Sequence, residues 1–155
     1  MKRAVLIDLD HTVADAFPRD HMIGGPWDDY HNASQFDVPL TDMVDLLVAL
    51  KAGGHPLIGI TARPDKWRAL TMEWLIKFNL AWLLDELLMR PDDGFRPSPE
   101  MKMELAVARF KDIKAEVLMI IDDREDVCAA FKAIGITALQ CHAVSTMNER
   151  MGDTP

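Results

Sequence analysis

The sequence predicts an α/β protein with a doubly wound parallel sheet and helices on both faces. Short apolar runs alternate with longer segments whose apolar residues recur at helical spacing. Three of the runs lead directly into polar residues: residues 4–7 into Asp8, residues 57–60 into Thr61, and residues 117–121 into Asp122. Because open α/β sheets bind ligands outside the carboxyl ends of their strands, these side chains should meet at one edge.

The first half of the chain is predicted to hold two strands, two helices and an insertion. Residues 3–8 have the length and branched apolar character of a buried strand. Residues 13–40 combine prolines and glycines without a steady period, which predicts an irregular insertion near the mouth of the site, with room for one short helix. Thr41 suits the N-cap of a helix that a glycine pair ends. Residues 55–60 form the second strand, and Pro64 suits the first turn of the next helix.

The second half continues the same order. Residues 87–89 predict a short strand that ends at Arg90, and Ser98 suits the cap of the helix that follows it. Residues 116–121 form a third strong strand. A helix with a regular apolar stripe then leads to the last strand, residues 136–140. The sheet therefore has several strands linked by helical crossovers.

Composition limits the class of protein. A length of 155 residues suits one domain, which we expect over residues 1–142, with a frayed tail at 143–155. The net charge of −8 argues against a broad basic nucleic-acid surface but not against a nucleic-acid end as substrate. The apolar runs are too short for a membrane span, and no signal peptide is evident. The two cysteines fit no metal or redox spacing, so a cytoplasmic, reduced protein is the simplest interpretation.

The polar residues at the strand ends suit the hydrolysis of a phosphate ester. Asp8 is the expected nucleophile, and Asp10 the acid that protonates the leaving oxygen and the base that later activates water. Mg²⁺ would bind to the side chains of Asp8 and Asp122 and to the backbone carbonyl of Asp10. Thr61 would hydrogen-bond a phosphoryl oxygen, and Lys102 would neutralise its charge.

Each of these residues taken alone has a structural explanation. Two aspartates after a strand are often only turn or capping residues, which applies equally to the pair Asp122 and Asp123. Thr61 could simply end a strand, and Lys102 could be a solvated helix lysine. Asp126 could orient a metal-bound water or merely favour the first turn of a helix. The order and spacing of the whole set favour the catalytic interpretation.

Aromatic residues leave two interpretations open. Trp67 and Trp74 fall on one apolar stripe of a predicted helix, which indicates core packing. Trp27 and Tyr30 belong to the insertion, where they could stack on a nucleobase or pack under the loop.

The ordered set resembles the haloacid dehalogenase superfamily of phosphohydrolases. The superfamily pattern D-x-D-x-[TV] falls on Asp8, Asp10 and Thr12, its Ser/Thr on Thr61, its lysine on Lys102, and its acidic pair on Asp122 and Asp123. This resemblance implies the doubly wound sheet and the nucleophile and acid–base roles described above. The insertion is too small to be a mobile cap domain.

Longer segments are similar to the 3′-phosphatase module of phage-type polynucleotide kinase–phosphatases. They are ITARPDKWRALTMEWL, ELLMRPDDG, IDDREDV and IGITALQC, and the insertion segment GPWDDYHNAS fits the same group. In that family, arginines that match Arg63, Arg90 and Arg124 help to shape the phosphate and strand-end site. The residue after the second aspartate is commonly glycine, whereas here it is His11. The chain has no G-x-x-x-x-G-K-[ST] P-loop, so no kinase activity is expected.

The resemblance implies a Mg²⁺-dependent phosphatase that removes 3′-phosphate from DNA or RNA ends. One alternative is a phosphatase for free nucleotides or similar small molecules. A phosphoacceptor signalling domain is disfavoured, because its acidic pair precedes its phosphorylated aspartate, which is the reverse of the order here. The sequence leaves open the choice between DNA and RNA, and whether a separate kinase or ligase cooperates with the protein.

Overall fold

A computed structural model describes residues 1–93 and 95–145. The strands are β1 (Ala4–Ile7), β2 (Ala14–Asp15), β3 (Val38–Pro39), β4 (Leu57–Pro64), β5 (Glu86–Arg90), β6 (Val117–Asp122) and β7 (Thr137–Gln140). The helices are α1 (Trp27–Ala33), α2 (Thr41–Ala52), α3 (Arg68–Lys77), α4 (Ser98–Arg109), α5 (Ile113–Glu116) and α6 (Glu125–Ala133). Short 3₁₀ turns cover Phe17–Met22, Ser34–Phe36 and Asp65–Trp67.

Five parallel strands form the central sheet in the order β5-β4-β1-β6-β7. Successive side chains of a strand point to opposite faces, so β1 contributes to two cores. Val5 and Ile7 pack with residues of α2 and α3, whereas Leu6 packs with residues of α4 and α6. The predicted doubly wound α/β fold with helices on both faces is therefore confirmed.

The central position of β1 brings three strand ends together. Ile7 is paired with Gly59 of β4 on one side and with Ile121 of β6 on the other. The chain adds β4 and β5 on one side of β1 before it returns to add β6 and β7 on the other. Asp8 therefore lies at the topological switch point, where sheets of this kind bind their ligands.

Helix starts differ in detail from the sequence prediction. Thr41 and Ser98 are the first residues of α2 and α4, and neither helix has a side-chain cap. Pro64, predicted in the first turn of a helix, is instead the extended last residue of β4, with φ −61° and ψ 147°. The next helix begins only at Arg68, after a 3₁₀ turn. Proline fixes φ near −65° but leaves ψ free, so a proline suits either conformation.

The insertion is more ordered than its composition indicates. Its two ends form a short antiparallel ladder, in which Ala14 pairs with Pro39 and Asp15 with Val38. Helix α1 lies between them, flanked by 3₁₀ turns. Two-residue strands leave no periodic pattern in a sequence, so the ladder was not predicted. At the other end of the chain, Ser145 donates a hydrogen bond to Asp15, and the rest of the predicted frayed tail lies outside the described residues.

None of the helices formed by residues 1–93 and 95–145 has both the length and the apolar character required to cross a membrane.

Candidate active site

A buried lysine joins two carboxylates at the centre of the sheet edge. The Nζ of Lys102 donates hydrogen bonds to Asp8 Oδ1 and to Asp122 Oδ2, each at 2.6 Å. Lys102 occupies the inner face of α4 together with Met101 and Ala106, so its side chain runs into the interior. All three charged residues are buried. Lys102 is thus not a solvated helix lysine, and residues far apart in sequence meet as the strand-end argument requires.

Burial sets the ionisation of this group. Burial raises the pKa of Asp8 to about 7, although the charge of Lys102 acts in the opposite direction. Burial and the neighbouring charge of Asp8 raise the pKa of Asp122 to about 6. Burial alone would lower the pKa of Lys102, but the two carboxylates raise it above its usual range. Lysine therefore stays charged, while Asp8 needs further positive charge nearby to be fully ionised at neutral pH.

Three carboxylates form a candidate metal centre. Asp8, Asp122 and Asp123 each offer an oxygen atom, and these atoms lie within 4.8 Å of one another. An all-oxygen, negatively charged donor set suits Mg²⁺ and does not suit a metal that prefers nitrogen or sulphur. The site residues therefore fit the expected ion. The backbone carbonyl of Asp10 stays a predicted ligand.

The side chain of Asp10 is held by two arginines and lies outside the candidate metal centre. Asp10 Oδ1 accepts hydrogen bonds from Arg19 Nη2 at 2.5 Å and from Arg63 Nη2 at 2.6 Å. Burial would raise the pKa of Asp10, but the charges of Arg63 and Arg19 outweigh it and lower the pKa below its usual range. Asp10 is therefore ionised and fixed in orientation.

Arg19 and Asp37 are functional candidates that the sequence did not reveal. The guanidinium of Arg19 binds Asp37 through Nε at 3.0 Å and Nη2 at 2.8 Å, and it lies 4.2 Å from the ring centre of Tyr30. Both charged residues are buried. They occur 18 positions apart in an aperiodic insertion and belong to none of the superfamily motifs, so no pattern in a single sequence links them to Asp10.

Arg63 and Thr61, both expected to contact phosphate, are buried beneath the site. Arg63 is fully buried, and its guanidinium donates hydrogen bonds to Asp10 and, at 3.3 Å, to Thr71 Oγ1. The hydroxyl of Thr61 accepts a hydrogen bond from the backbone N–H of Arg63 at 3.2 Å. In this arrangement Arg63 orients the acid–base candidate. Thr12 is also buried, and its hydroxyl donates to Asp8 Oδ2 at 3.3 Å.

The two remaining arginines line the cavity above the carboxylates. Arg90 is buried and donates to the carbonyls of Ala62 at 3.0 Å and Arg96 at 2.5 Å. Among the described residues no ion pair joins Arg90 to the acids that follow it, so it is not an ordinary surface arginine. Arg124 pairs with Asp126 at 2.6 Å, and both side chains are half exposed. Asp126 thus lies outside the carboxylate group that could hold a metal.

The charged groups open into one cavity of about 660 Å³. Its lining includes Asp8, Asp10, Lys102 and Asp123, together with both arginines. The insertion contributes a further part of the lining, which is mostly aromatic and also includes one acid: Ile23, Trp27, Asp28, Tyr30 and His31. Trp67, expected in the core, is half buried in a 3₁₀ turn, whereas Trp74 lies in the core as predicted.

Comparison with family models identifies this arrangement. The model described as the polynucleotide kinase PNKP phosphatase domain matches residues 2–145, nearly the whole chain. The chain belongs to this family. It is accordingly a phosphatase domain of the haloacid dehalogenase type. Among curated protein sequences, none gives a significant match.

Solved structures agree with the family assignment of this phosphatase domain. A chain in the Pnkp1/Rnl/Hen1 RNA repair complex is 25% identical with a TM-score of 0.76, and the match covers 90% of this chain and 42% of that one. The present chain thus spans less than half of that relative. A haloacid dehalogenase-like hydrolase from Streptococcus pneumoniae shares the fold at 16% identity, TM-score 0.65, over 99% and 91% of the two chains. The class C acid phosphatase from Bacillus anthracis does so at 23% identity, TM-score 0.61, over 81% and 53%.

In this PNKP phosphatase domain, His11 occupies the position that the pattern D-x-D-x-[TV] leaves open. The backbone of His11 has φ +61°, a left-handed conformation that glycine adopts without steric cost. The Nε2 of His11 lies 2.9 Å from Asp20 Oδ1, and its ring contacts Phe17 edge-on at 4.4 Å. His11 therefore lines the cavity together with Asp8 and Asp10.

Proposed function

We propose that the protein is a Mg²⁺-dependent phosphomonoesterase that removes 3′-phosphate from DNA or RNA ends through an aspartyl-phosphate intermediate. The observation that carries the proposal is the contact of Lys102 with Asp8 and Asp122, next to an Asp10 that arginines hold in place. This set provides a nucleophile, an acid–base group and positive charge around one point of a cavity.

The first step transfers the phosphoryl group to the protein. A carboxylate oxygen of Asp8 attacks phosphorus, and the bond between phosphorus and the 3′-oxygen of the substrate breaks. Asp10 donates a proton to that oxygen as it leaves. Asp10 is ionised before substrate binds. A dianionic phosphate beside it raises its pKa, because a nearby negative charge favours the protonated form, and Asp10 then takes up from solvent the proton that it donates.

The second step restores Asp8. Asp10, now ionised, takes a proton from a water molecule whose oxygen attacks phosphorus, and the bond between phosphorus and Asp8 breaks. Arg19 and Arg63 favour the ionised form of Asp10 in this step and keep its carboxylate oriented throughout. Lys102 offsets the negative charge that gathers on the transferred group.

Mg²⁺ would be held by Asp8, Asp122 and Asp123 and would supply the charge that lets a carboxylate approach a phosphate dianion. Exhaustive chelation should therefore abolish phosphate release, and added Mg²⁺ should restore it. Melting curves recorded with and without chelator are the control. Lys102 already neutralises part of the charge of Asp8 and Asp122, so the protein should remain folded without the metal. Full activity after chelation would contradict the metal requirement.

The substrate class follows from access to the site. The insertion lines one side of the cavity and does not form a separate cap domain that could enclose a small molecule. A polymer end needs such an open site, because the rest of the strand must remain outside. RNA ends are included because the similar Pnkp1 chain belongs to an RNA repair complex.

The assay that tests this function measures phosphate release from a 3′-phosphorylated oligonucleotide, its 5′-phosphorylated counterpart, and free 3′- and 5′-nucleotides. We expect the 3′-phosphorylated oligonucleotide to have the highest kcat/KM. A preference for free nucleotides would instead support a small-molecule phosphatase with the same chemistry.

A further prediction concerns Arg90, which lines the cavity. Arg90→Ala should lower kcat/KM on the 3′-phosphorylated oligonucleotide at least about 10-fold, or about 1.4 kcal/mol. Arginine makes paired, charge-assisted hydrogen bonds to phosphate that lysine cannot reproduce, so Arg90→Lys should rescue only part of the loss. Alanine should also lower the melting temperature, because the bonds to Ala62 and Arg96 are lost.

The matched control for Arg90→Ala is Arg109→Ala, since Arg109 is partly exposed and pairs with Glu86, away from the cavity. That variant should match the wild type in steady-state kinetics. Wild-type kinetics for Arg90→Ala would show that Arg90 has no role in the cavity.

A further inference from the structure

The catalytic groups use only part of the cavity. The phosphate of the proposed substrate would lie beside Asp8 and Lys102, yet the whole cavity measures about 660 Å³, a volume within the range of pockets that hold an organic ligand. The remaining lining includes two aromatic side chains that the mechanism leaves unused, Trp27 from α1 and Phe95 from the loop between β5 and α4. This part of the cavity therefore has space and surface for the group that carries the phosphate.

Trp27 is exposed but firmly positioned. Its relative exposure is 51%, and its indole stacks on His31 at 6.0 Å and 27° and meets Tyr30 edge-on at 5.5 Å and 88°. Tyr30 is in turn fixed by Arg19, whose guanidinium lies over its ring. A rigid aromatic face at the wall of a cavity loses little conformational freedom when a second flat ring stacks on it.

Phe95 provides a second aromatic surface in the same cavity. Its relative exposure is 81%, and the guanidinium of Arg90 lies 5.3 Å from its ring centre. Phe95 thus lies beside a cation that we place near the phosphate, in the cavity that Trp27 also lines. An aromatic surface beside a phosphate-binding cation complements a nucleotide, in which a flat base and a phosphate are joined through one sugar.

We propose that Trp27, with Phe95, forms a stacking subsite for the terminal nucleobase, the base of the nucleotide that bears the 3′-phosphate. The inference rests on the proposed function and adds that the enzyme requires a base at the strand terminus. Every base has a flat face, so stacking demands that a base be present without selecting which one.

The test compares two oligonucleotides of equal length, both 3′-phosphorylated, one with a normal terminal nucleotide and one with an abasic terminal sugar. The wild type should favour the base-bearing strand in kcat/KM by about 10-fold or more, as expected when one stacking contact is lost. Trp27→Ala should lose most of this preference through a higher KM on the base-bearing strand, with its rate on the abasic strand unchanged. Trp27→Phe, which keeps a flat ring, should retain part of it, and Phe95→Ala should show a smaller loss.

Matched controls come from the same chain. Trp82 is 53% exposed and Phe36 is 75% exposed, and neither lines the cavity. Trp82→Ala and Phe36→Ala should therefore leave the preference for the base-bearing strand intact.

The outcomes separate this inference from the function on which it rests. Equal wild-type kcat/KM on the two strands would overturn the stacking subsite and leave the 3′-phosphatase proposal standing. An equal loss on both strands in Trp27→Ala would show a structural role for the indole and would also overturn the subsite. Release of phosphate from neither strand by the wild type would overturn the proposed function and the subsite together.

Discussion

Asp8→Asn should reduce turnover at least about 10³-fold while the protein remains folded, because removal of a nucleophile that acts in a cooperating set typically costs that much or more. An amide is a poor nucleophile and a weak ligand for a hard cation. The fold should persist, because asparagine has nearly the same shape and Lys102 keeps Asp122 as its partner. The measurement is single-turnover phosphate release together with a melting curve.

The control for Asp8→Asn is Asp45→Asn, since Asp45 is an exposed acid on α2. This variant should match the wild type in rate and in melting temperature. Near-wild-type phosphatase activity in folded Asp8→Asn protein would remove Asp8 from the mechanism.

Lys102→Met should abolish most activity and destabilise the protein. Methionine preserves length and apolar packing but removes the charge between Asp8 and Asp122. Loss of one partner of a buried ion pair typically costs about 3–5 kcal/mol. Loss of a charge that stabilises the transition state typically lowers the rate by about 10² to 10³-fold.

The destabilisation in Lys102→Met should depend on pH in a defined direction. Burial already raises the pKa of Asp8 to about 7 and that of Asp122 to about 6, and loss of the lysine charge raises both further. A carboxyl whose folded pKa is raised binds its proton more tightly in the folded state, so stability falls as the pH rises through that pKa. Chemical unfolding of the metal-free variant should therefore show a larger deficit at pH 8 than at pH 5.

Lys111→Met is the matched control, because Lys111 is exposed. Exposed substitutions of this kind usually change the free energy of unfolding by less than about 0.5 kcal/mol. A deficit in Lys102→Met that is the same at both pH values would contradict the view that the lysine compensates buried carboxylates.

The parts of the site that the sequence predicted share one property. Asp8 directly follows β1 and Asp122 is the last residue of β6, and the apolar runs of both strands are visible in the sequence. Parallel strands bring such residues together whatever the details of the loops. Lys102 was placed by the order and spacing of the whole set and by the superfamily resemblance, and its burial on the inner face of α4 is what the structure adds.

The parts that could not be predicted depend on tertiary contacts within irregular segments. Arg19 and Asp37 are brought to Asp10 by a ladder of two-residue strands, which has no periodic pattern. Arg63 is predicted at the phosphate by the resemblance, and its contact with Asp10 could not be predicted because it depends on how the chain folds. The aromatic lining of the cavity likewise depends on how the insertion folds back.

The most direct test of the central claim is a search for the phosphoryl group on Asp8. Asp10→Asn protein, in which hydrolysis of the intermediate should be slow, is mixed with a 3′-phosphorylated oligonucleotide, quenched in acid, digested and analysed by mass spectrometry. The account predicts that the peptide containing Asp8 gains the mass of one phosphoryl group, and that Asp8→Asn protein gains none. Phosphate release without any phosphorylated peptide, or phosphorylation at a different residue, would contradict it.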